Sequence, residues 1–192
     1  MNFLAHFYLS GTNESFILGN FLGDFVKGKK YQDYPEDIAQ GILLHRSIDH
    51  YTDHHPVHRQ SKRRLGERYG HYAGVAVDMF YDHLLAVNWD SYSSVSLRDY
   101  SQYVYGILQD RQALFPEKAR YVLKYMAEQN WLYHYQQLEG IQRALGGISR
   151  RTSFTSGLER ASLDLEAQFS EFQDDFNLFF PKIIYYTQTH FS

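Results

Sequence analysis

Acidic and imidazole side chains recur at four-residue steps in one part of the sequence, and this spacing constrains the fold more than any other feature. They are His45, Asp49 and Asp53 in a first group and Asp78, Asp82 and His83 in a second. Residues four apart lie one above the other on the same face of an α-helix. The spacing therefore predicts two helices, each with a polar stripe.

The same two segments are rich in aliphatic residues, which predicts that both helices also pack into a core. Carboxylates and imidazoles are costly to bury unless they are paired, hydrogen-bonded or bound to a metal. Seven of the ten histidines lie between positions 45 and 83, and a metal site would satisfy several of these groups at once. A single His-x3-Asp pair is usually a surface ion pair, and the spacing alone leaves that alternative open.

Composition limits the class of protein. A chain of 192 residues with 44% apolar residues is most simply one domain with a sizeable core. The net charge of -3 argues against nucleic-acid binding driven by bulk charge. There is no cysteine, so any metal ligand must be nitrogen or oxygen. We find neither a signal peptide nor an apolar run of the ~18 residues that a membrane span requires, and we expect a soluble, cytoplasmic protein.

Glycine and proline separate one helical pattern from the next, and no sustained period-two alternation indicates a sheet. We therefore predict an all-α fold, a single-domain helical bundle over residues 1–192. The predicted helices cover about 13–25, 35–55, 72–89, 96–115, 116–129, 131–145 and 156–178, with a last short helix from Pro181.

Four segments, taken in order, resemble the acyl carrier protein phosphodiesterase family. They are MNFLAH at 1–6, GNFLGDF at 19–25, LHRSID at 44–49 followed by Asp53 and His55-Pro56, and DMFYDH at 78–83 followed by Trp89. The resemblance is specific over roughly the first 90 residues. Beyond them the sequence offers a compatible helical remainder.

The resemblance implies an all-helical, metal-dependent phosphodiesterase, distantly related to the HD phosphohydrolases. It would remove the 4′-phosphopantetheine arm from holo acyl carrier protein and leave the apo form, and the family suggests manganese as the metal. Oxygen ligands with imidazole suit manganese or magnesium, and a divalent ion can activate water while neutralising phosphate charge. The adjacent pair Asp82-His83 has the acid first, unlike the usual HD order, which leaves the ligand set open.

We predict the metal ligands and the other site residues as two overlapping groups. The predicted ligands are Asp24, His45, Asp49, Asp82 and His83. The residues predicted to have catalytic, water-positioning or structural roles are Asp24, His6, Asp53 and Asp78. A site histidine, His6 or His45, could protonate the leaving serine oxygen if it is not a ligand.

A basic segment is predicted to bind the partner protein and to determine its specificity. Its cations are Arg59, Lys62, Arg63, Arg64 and Arg68, with Lys27, Lys29 and Lys30 as further candidates. An acidic carrier protein would be steered by such a surface, although a solvated helix face explains the same residues. Two other functions also fit the sequence: an HD-like hydrolase of another phosphoester such as a nucleotide, and a non-catalytic helical binding module.

Overall fold

The computed structural model describes residues 1–151 and 156–191, except for the Glu67 side chain, and this part of the chain is helical without any strand. The predicted all-α fold is confirmed. The α-helices are α1 Phe3–Leu9, α2 Glu14–Gly23, α3 Glu36–His54, α4 Pro56–Arg64, α5 Ala73–Val87, α6 Leu97–Asp110, α7 Glu117–Glu128, α8 Trp131–His134, α9 Leu138–Ser149, α10 Ala161–Ala167 and α11 Phe169–His190. Among the described residues no helix has the length and apolar character needed to cross a membrane.

Helix α5 lies at the centre of the hydrophobic core. Phe80, Tyr81, Leu84 and Leu85 have no exposed surface, and α1, α4, α9, α10 and α11 all pack against this helix. A helix that is apolar around most of its circumference is stable only when it is surrounded. The acids on α5 are consequently held inside or at the edge of the core.

Helices α2 and α3 approach each other closely because glycines face each other at the crossing. A Cβ atom added to Gly19 would lie 2.6 Å from the Cα of Gly41, and one added to Gly23 would lie 2.2 Å from the His45 ring. Side chains at these positions would force the backbones apart. The close contact brings Asp24, the residue that follows α2, to 3.9 Å from His45 on α3.

The second half of the chain differs from the predicted boundaries. The helix predicted over 131–145 is divided into α8 and α9, because the chain folds back so tightly that a Cβ on Gly140 would lie 2.0 Å from the His134 carbonyl oxygen. The helix predicted over 156–178 is divided into α10 and α11, and α11 continues through Pro181 instead of ending before it. Two helices were not predicted as helices, α1 and the basic α4.

Candidate metal centre and substrate groove

Two histidines converge on one carboxylate between α1 and α3. The Nε2 atom of His6 lies 3.1 Å from Asp49 Oδ1, and the Nε2 atom of His45 lies 3.1 Å from Asp49 Oδ2. The two imidazole rings stack with their centroids 4.1 Å apart. One ligand atom from each residue lies within 4.8 Å of the others, so this group could hold a metal ion.

Two of the three residues, His45 and Asp49, line a small polar cavity. Both histidines are buried, whereas the Asp49 side chain is 45% exposed. The cavity has a volume of about 210 Å³, and its lining residues are Met1, Asp24, His45, Asp49, Thr52, Asp53 and Asp78. Asp24 Oδ1 lies 3.9 Å from His45 Nε2, so a fourth donor stands beside the group of three.

Electrostatics favour an ionised carboxylate beside a neutral ring. Burial alone would raise the pKa of Asp49, but the adjacent His45 and His6 side chains hold this pKa well below its ordinary value. Burial and the neighbouring His45 lower the pKa of His6. Carboxylate and neutral imidazole are the forms in which these side chains bind metals.

Asn20 holds the His6 ring from the opposite side. The ring nitrogen Nδ1 of His6 lies 2.7 Å from Asn20 Oδ1, and Asn20 Nδ2 donates to the His6 carbonyl oxygen at 2.9 Å and to Ser10 Oγ at 2.8 Å. In the sequence, Asn20 and Asp24 are four residues apart, which is a weak signal for this role. The stronger signal was that Gly19 and Gly23 have the same spacing, which indicates a close helix contact at this point.

Asp82 and His83 do not belong to the group of three, and both bond to the backbone. Asp82 is fully buried and accepts backbone N–H groups of α1, at 2.8 Å from Leu4 and at 3.3 Å from Ala5. His83 Nδ1 donates to the Tyr135 carbonyl oxygen at 2.7 Å. Burial raises the pKa of Asp82 to about 7, although these N–H bonds oppose the rise.

Asp53 and Asp78 connect the small cavity to a wider groove. Both residues line the 210 Å³ cavity and also a groove of about 850 Å³ along α4. Asp78 Oδ1 lies 3.0 Å from His58 Nε2 and 3.0 Å from the Met1 amino nitrogen. Because the two spaces share these acids, the groove adjoins the candidate metal centre.

The five predicted partner-binding cations fall into two sets. Arg59, Lys62 and Arg63 line the groove. Arg64 instead bonds to buried Asp175, with Nε 2.8 Å from Oδ2, and Arg68 pairs with Asp164. Lys27, Lys29 and Lys30 are exposed and do not line the groove. Three of the five therefore face the space next to the candidate metal centre.

Comparison with known proteins identifies the reaction class. The family model described as acyl carrier protein phosphodiesterase matches residues 1–183. The acyl carrier protein phosphodiesterase of Photorhabdus laumondii is 33% identical over 182 residues, which cover 94% of this chain and 92% of that protein. Those of Yersinia pestis and Escherichia coli O6:H1 are 29% and 31% identical, with 96% of both chains covered in each case. No solved structure matches the chain.

These matches run through the helices that build the site, so the protein is an all-α phosphoric diester hydrolase. More narrowly, the chain belongs to the acyl carrier protein phosphodiesterase family. The expected distant relation to the HD phosphohydrolases stays a prediction.

Proposed function

We propose that this protein carries out the reaction of its family, removal of the 4′-phosphopantetheine arm from holo acyl carrier protein, with a divalent metal at His6, His45 and Asp49. Asp24, next to His45, completes the proposed ligand set. The observation that carries the proposal is the convergence of two buried imidazole nitrogens on the two oxygens of one carboxylate, 3.1 Å away in each case. Asp82 and His83 are not in this set because neither lines the cavity beside these residues, and the carboxylate of Asp82 instead accepts backbone N–H groups of α1.

The donor atoms support manganese as the metal. Magnesium prefers a shell of oxygen ligands and water, whereas imidazole nitrogen is a better ligand for softer transition metals. A set of two imidazoles with two carboxylates lies between these preferences, and Mn²⁺ accepts both kinds of donor. When bound, such a cation supplies charge neutralisation at the phosphate and activation of a water molecule.

The residues around the proposed ligands can position the substrate and a water molecule. Asp78 lines the cavity, and its Oδ1 lies 3.0 Å from both His58 Nε2 and the Met1 amino nitrogen. Its carboxylate can accept a hydrogen bond from a water molecule in the cavity. The Thr52 hydroxyl is buried and has no hydrogen-bond partner among the described residues, and it lines the same cavity. A water or a phosphate oxygen would satisfy this hydroxyl, since buried polar groups are rarely left unpaired.

The groove along α4 is the proposed entry of the substrate. Carrier protein is acidic, and Arg59, Lys62 and Arg63 give the groove a positive wall, which would attract and orient such a partner. The arm would then cross the groove past Asp53 and Asp78 to reach the proposed metal. The carrier and the metal would thus be bound by adjoining but different sets of residues.

The activity is tested with holo carrier protein and Mn²⁺, by following loss of the arm by mass spectrometry. We expect turnover with Mn²⁺, none after chelation, and a loss of at least about 100-fold in Asp49→Asn. Asp110→Asn, an exposed acid at the end of α6, is the matched control and should retain full turnover. Equal turnover in chelated protein or in Asp49→Asn would refute the metal site.

The same assay separates the alternative functions. A nucleotide phosphohydrolase would hydrolyse one or more members of a nucleotide panel faster than it hydrolyses carrier protein. A non-catalytic binding module would contain no metal in elemental analysis and would show an unchanged melting temperature after chelation. A metalloprotein, in contrast, loses the stabilisation that the bound ion provides.

The docking groove is tested with Arg63→Glu, and Arg143→Glu on α9 serves as a control with the same change in net charge. We expect the KM for carrier protein to rise about tenfold or more in Arg63→Glu at low salt, and its dependence on salt to weaken. Arg143→Glu should behave like the unaltered protein. Equal KM values for the two variants would show that the groove is ordinary surface.

A further inference from the structure

The hydrogen bonds of Asn20 determine which way its amide group points. One end of the amide lies 2.9 Å from the His6 carbonyl oxygen, which can only accept, so this end must be the NH₂ group. The other end is therefore the oxygen, and it lies 2.7 Å from His6 Nδ1. Ser10 Oγ agrees with this orientation, because it donates to the His6 carbonyl oxygen and its lone pairs can accept from the NH₂ group.

The oxygen of Asn20 in turn determines the proton position on His6. An amide oxygen accepts only, so Nδ1 must carry a proton, and the neutral ring then has its free lone pair on Nε2. Asn20 is buried, with 1% of its surface exposed, and its two ends are bonded to three groups. It cannot rotate without losing these bonds.

The free lone pair of His6 meets another acceptor. Nε2 lies 3.1 Å from Asp49 Oδ1, and two acceptors at this distance repel each other unless a positive charge lies between them. A second proton on the ring or a metal ion would supply that charge. A metal ion would satisfy Nε2 and Asp49 together, and it would leave the Nδ1 proton in its bond to Asn20.

We propose that Asn20 is a positioning residue, which holds His6 in the Nδ1-protonated form and directs Nε2 as a ligand towards the metal. This inference rests on the proposed metal site. Ligand histidines commonly donate their other ring proton to an oxygen in this way, and loss of that oxygen weakens metal binding. His6 is then a ligand and not the donor of a proton to the leaving serine oxygen, which resolves one alternative that the sequence left open.

Three variants separate positioning from structural support. Asn20→Leu removes the oxygen beside Nδ1 with little change of volume. Asn20→Asp keeps an oxygen there but removes the NH₂ donor, so it should fold less stably and still bind metal. Ser10→Ala removes one contact of the NH₂ group and leaves the Asn20–His6 bond in place.

The first measurement is the dissociation constant for Mn²⁺ of metal-free protein, by electron paramagnetic resonance of the unbound ion. We expect a constant about 10- to 100-fold weaker in Asn20→Leu, and values within about threefold of the unaltered protein in Asn20→Asp and Ser10→Ala. Equal Mn²⁺ affinity in folded Asn20→Leu would overturn the proposal and leave the metal site standing.

The second measurement reads the proton position on His6 in the unaltered, metal-free protein. Ring nitrogen shifts of ¹⁵N-labelled protein, at a mildly alkaline pH, should show protonated Nδ1 and unprotonated Nε2, with the signal assigned by its loss in His6→Gln. The opposite tautomer would overturn the proposal even if Asn20→Leu fails to fold. Absence of Mn²⁺ binding in the unaltered protein would instead refute the proposed function, and the tautomer would still decide the role of Asn20.

Discussion

The carboxylate of Asp82 on α5 accepts the backbone N–H of Leu4 at 2.8 Å and thereby caps the first turn of α1. It also accepts the N–H groups of Asn2 at 3.2 Å and Ala5 at 3.3 Å. The first N–H groups of a helix have no partner within the helix. One buried acid of the core thus fixes the start of the helix that carries His6.

Asp82→Ala should lower the free energy of unfolding by about 3 kcal/mol, because three N–H groups lose their acceptor and each unpaired buried group is costly. Urea unfolding followed by circular dichroism measures this loss. Asp82→Asn retains one acceptor oxygen and should lose less. Since Asp82 lies outside the proposed ligand set, folded Asp82→Asn should bind Mn²⁺ like the unaltered protein. A loss of Mn²⁺ binding would support the sequence-based prediction that Asp82 is a ligand.

Asp82 should also make stability depend on pH. Burial raises its pKa to about 7 from the ordinary 3.8, and a group with a raised pKa in the folded state stabilises the fold at low pH. This contribution is complete below about pH 4 and is lost as the pH rises towards about 7. Relative to Asp82→Asn, which stays uncharged, the unaltered protein should therefore lose stability over this range in urea unfolding. A constant difference between the two proteins would mean that the N–H bonds keep the carboxylate ionised.

Gly23→Ala should disrupt the proposed metal centre without removing any of its proposed ligands. The added Cβ would lie 2.2 Å from the His45 ring, so the ring must shift from its position beside Asp49. A displacement of about 1 Å at a catalytic site can reduce the rate about 100-fold. We expect a loss of this size in kcat for holo carrier protein, together with weaker Mn²⁺ binding.

Gly106→Ala is the control for this substitution. Gly106 lies within α6, and no atom lies within 4 Å of the Cβ position. Alanine is favoured over glycine inside a helix by about 1 kcal/mol, so this variant should be fully active and slightly more stable. Equal activity of the two variants would show that the His45 ring tolerates displacement.

Arg63 and Arg64 should have different roles although they are adjacent. Asp175 is buried and accepts from Arg64 Nε at 2.8 Å and from Ser61 Oγ at 2.8 Å, which ties α4 to α11. Asp175→Asn should therefore lower the free energy of unfolding by about 2–3 kcal/mol, less than for a fully buried ion pair because Arg64 is partly exposed. Arg64→Met should lower stability and leave the KM for carrier protein unchanged. A raised KM in Arg64→Met would assign this residue to docking as well.

The four-residue spacing predicted the contacts of the candidate site that form within a single helix. His45 and Asp49 are neighbours on α3, and spacing alone brings them together. His6 contributes from α1, and only the tertiary packing of α1 against α2 and α5 places it there. That Asp82 and His83 bind metal stays a prediction. An acid on an apolar helix needs a partner, and the sequence does not say whether that partner is a metal or a backbone N–H.

Helix boundaries were predicted less well where side-chain packing outweighed local signals. The pattern of the basic segment gave no apolar face, yet α4 is helical because Ser61 and Arg64 bond to Asp175 on α11. Proline normally marks the start of a helix, yet Pro181 lies inside α11. There Phe176, Phe180 and Ile183, all fully buried, continue one apolar face past the proline.

Pro181→Ala should make the protein more stable. Proline has no N–H, so the carbonyl of Asn177 lacks its helical hydrogen bond, and proline inside a helix costs about 3 kcal/mol. Part of this cost is offset because proline also restricts the unfolded chain, by up to about 1 kcal/mol. We therefore expect a gain of about 2 kcal/mol in urea unfolding. Pro116→Ala, at the start of α7 where proline fits the helix, should give no gain. If Pro181→Ala is not stabilising, then the buried phenylalanines of α11 require the backbone geometry that proline imposes.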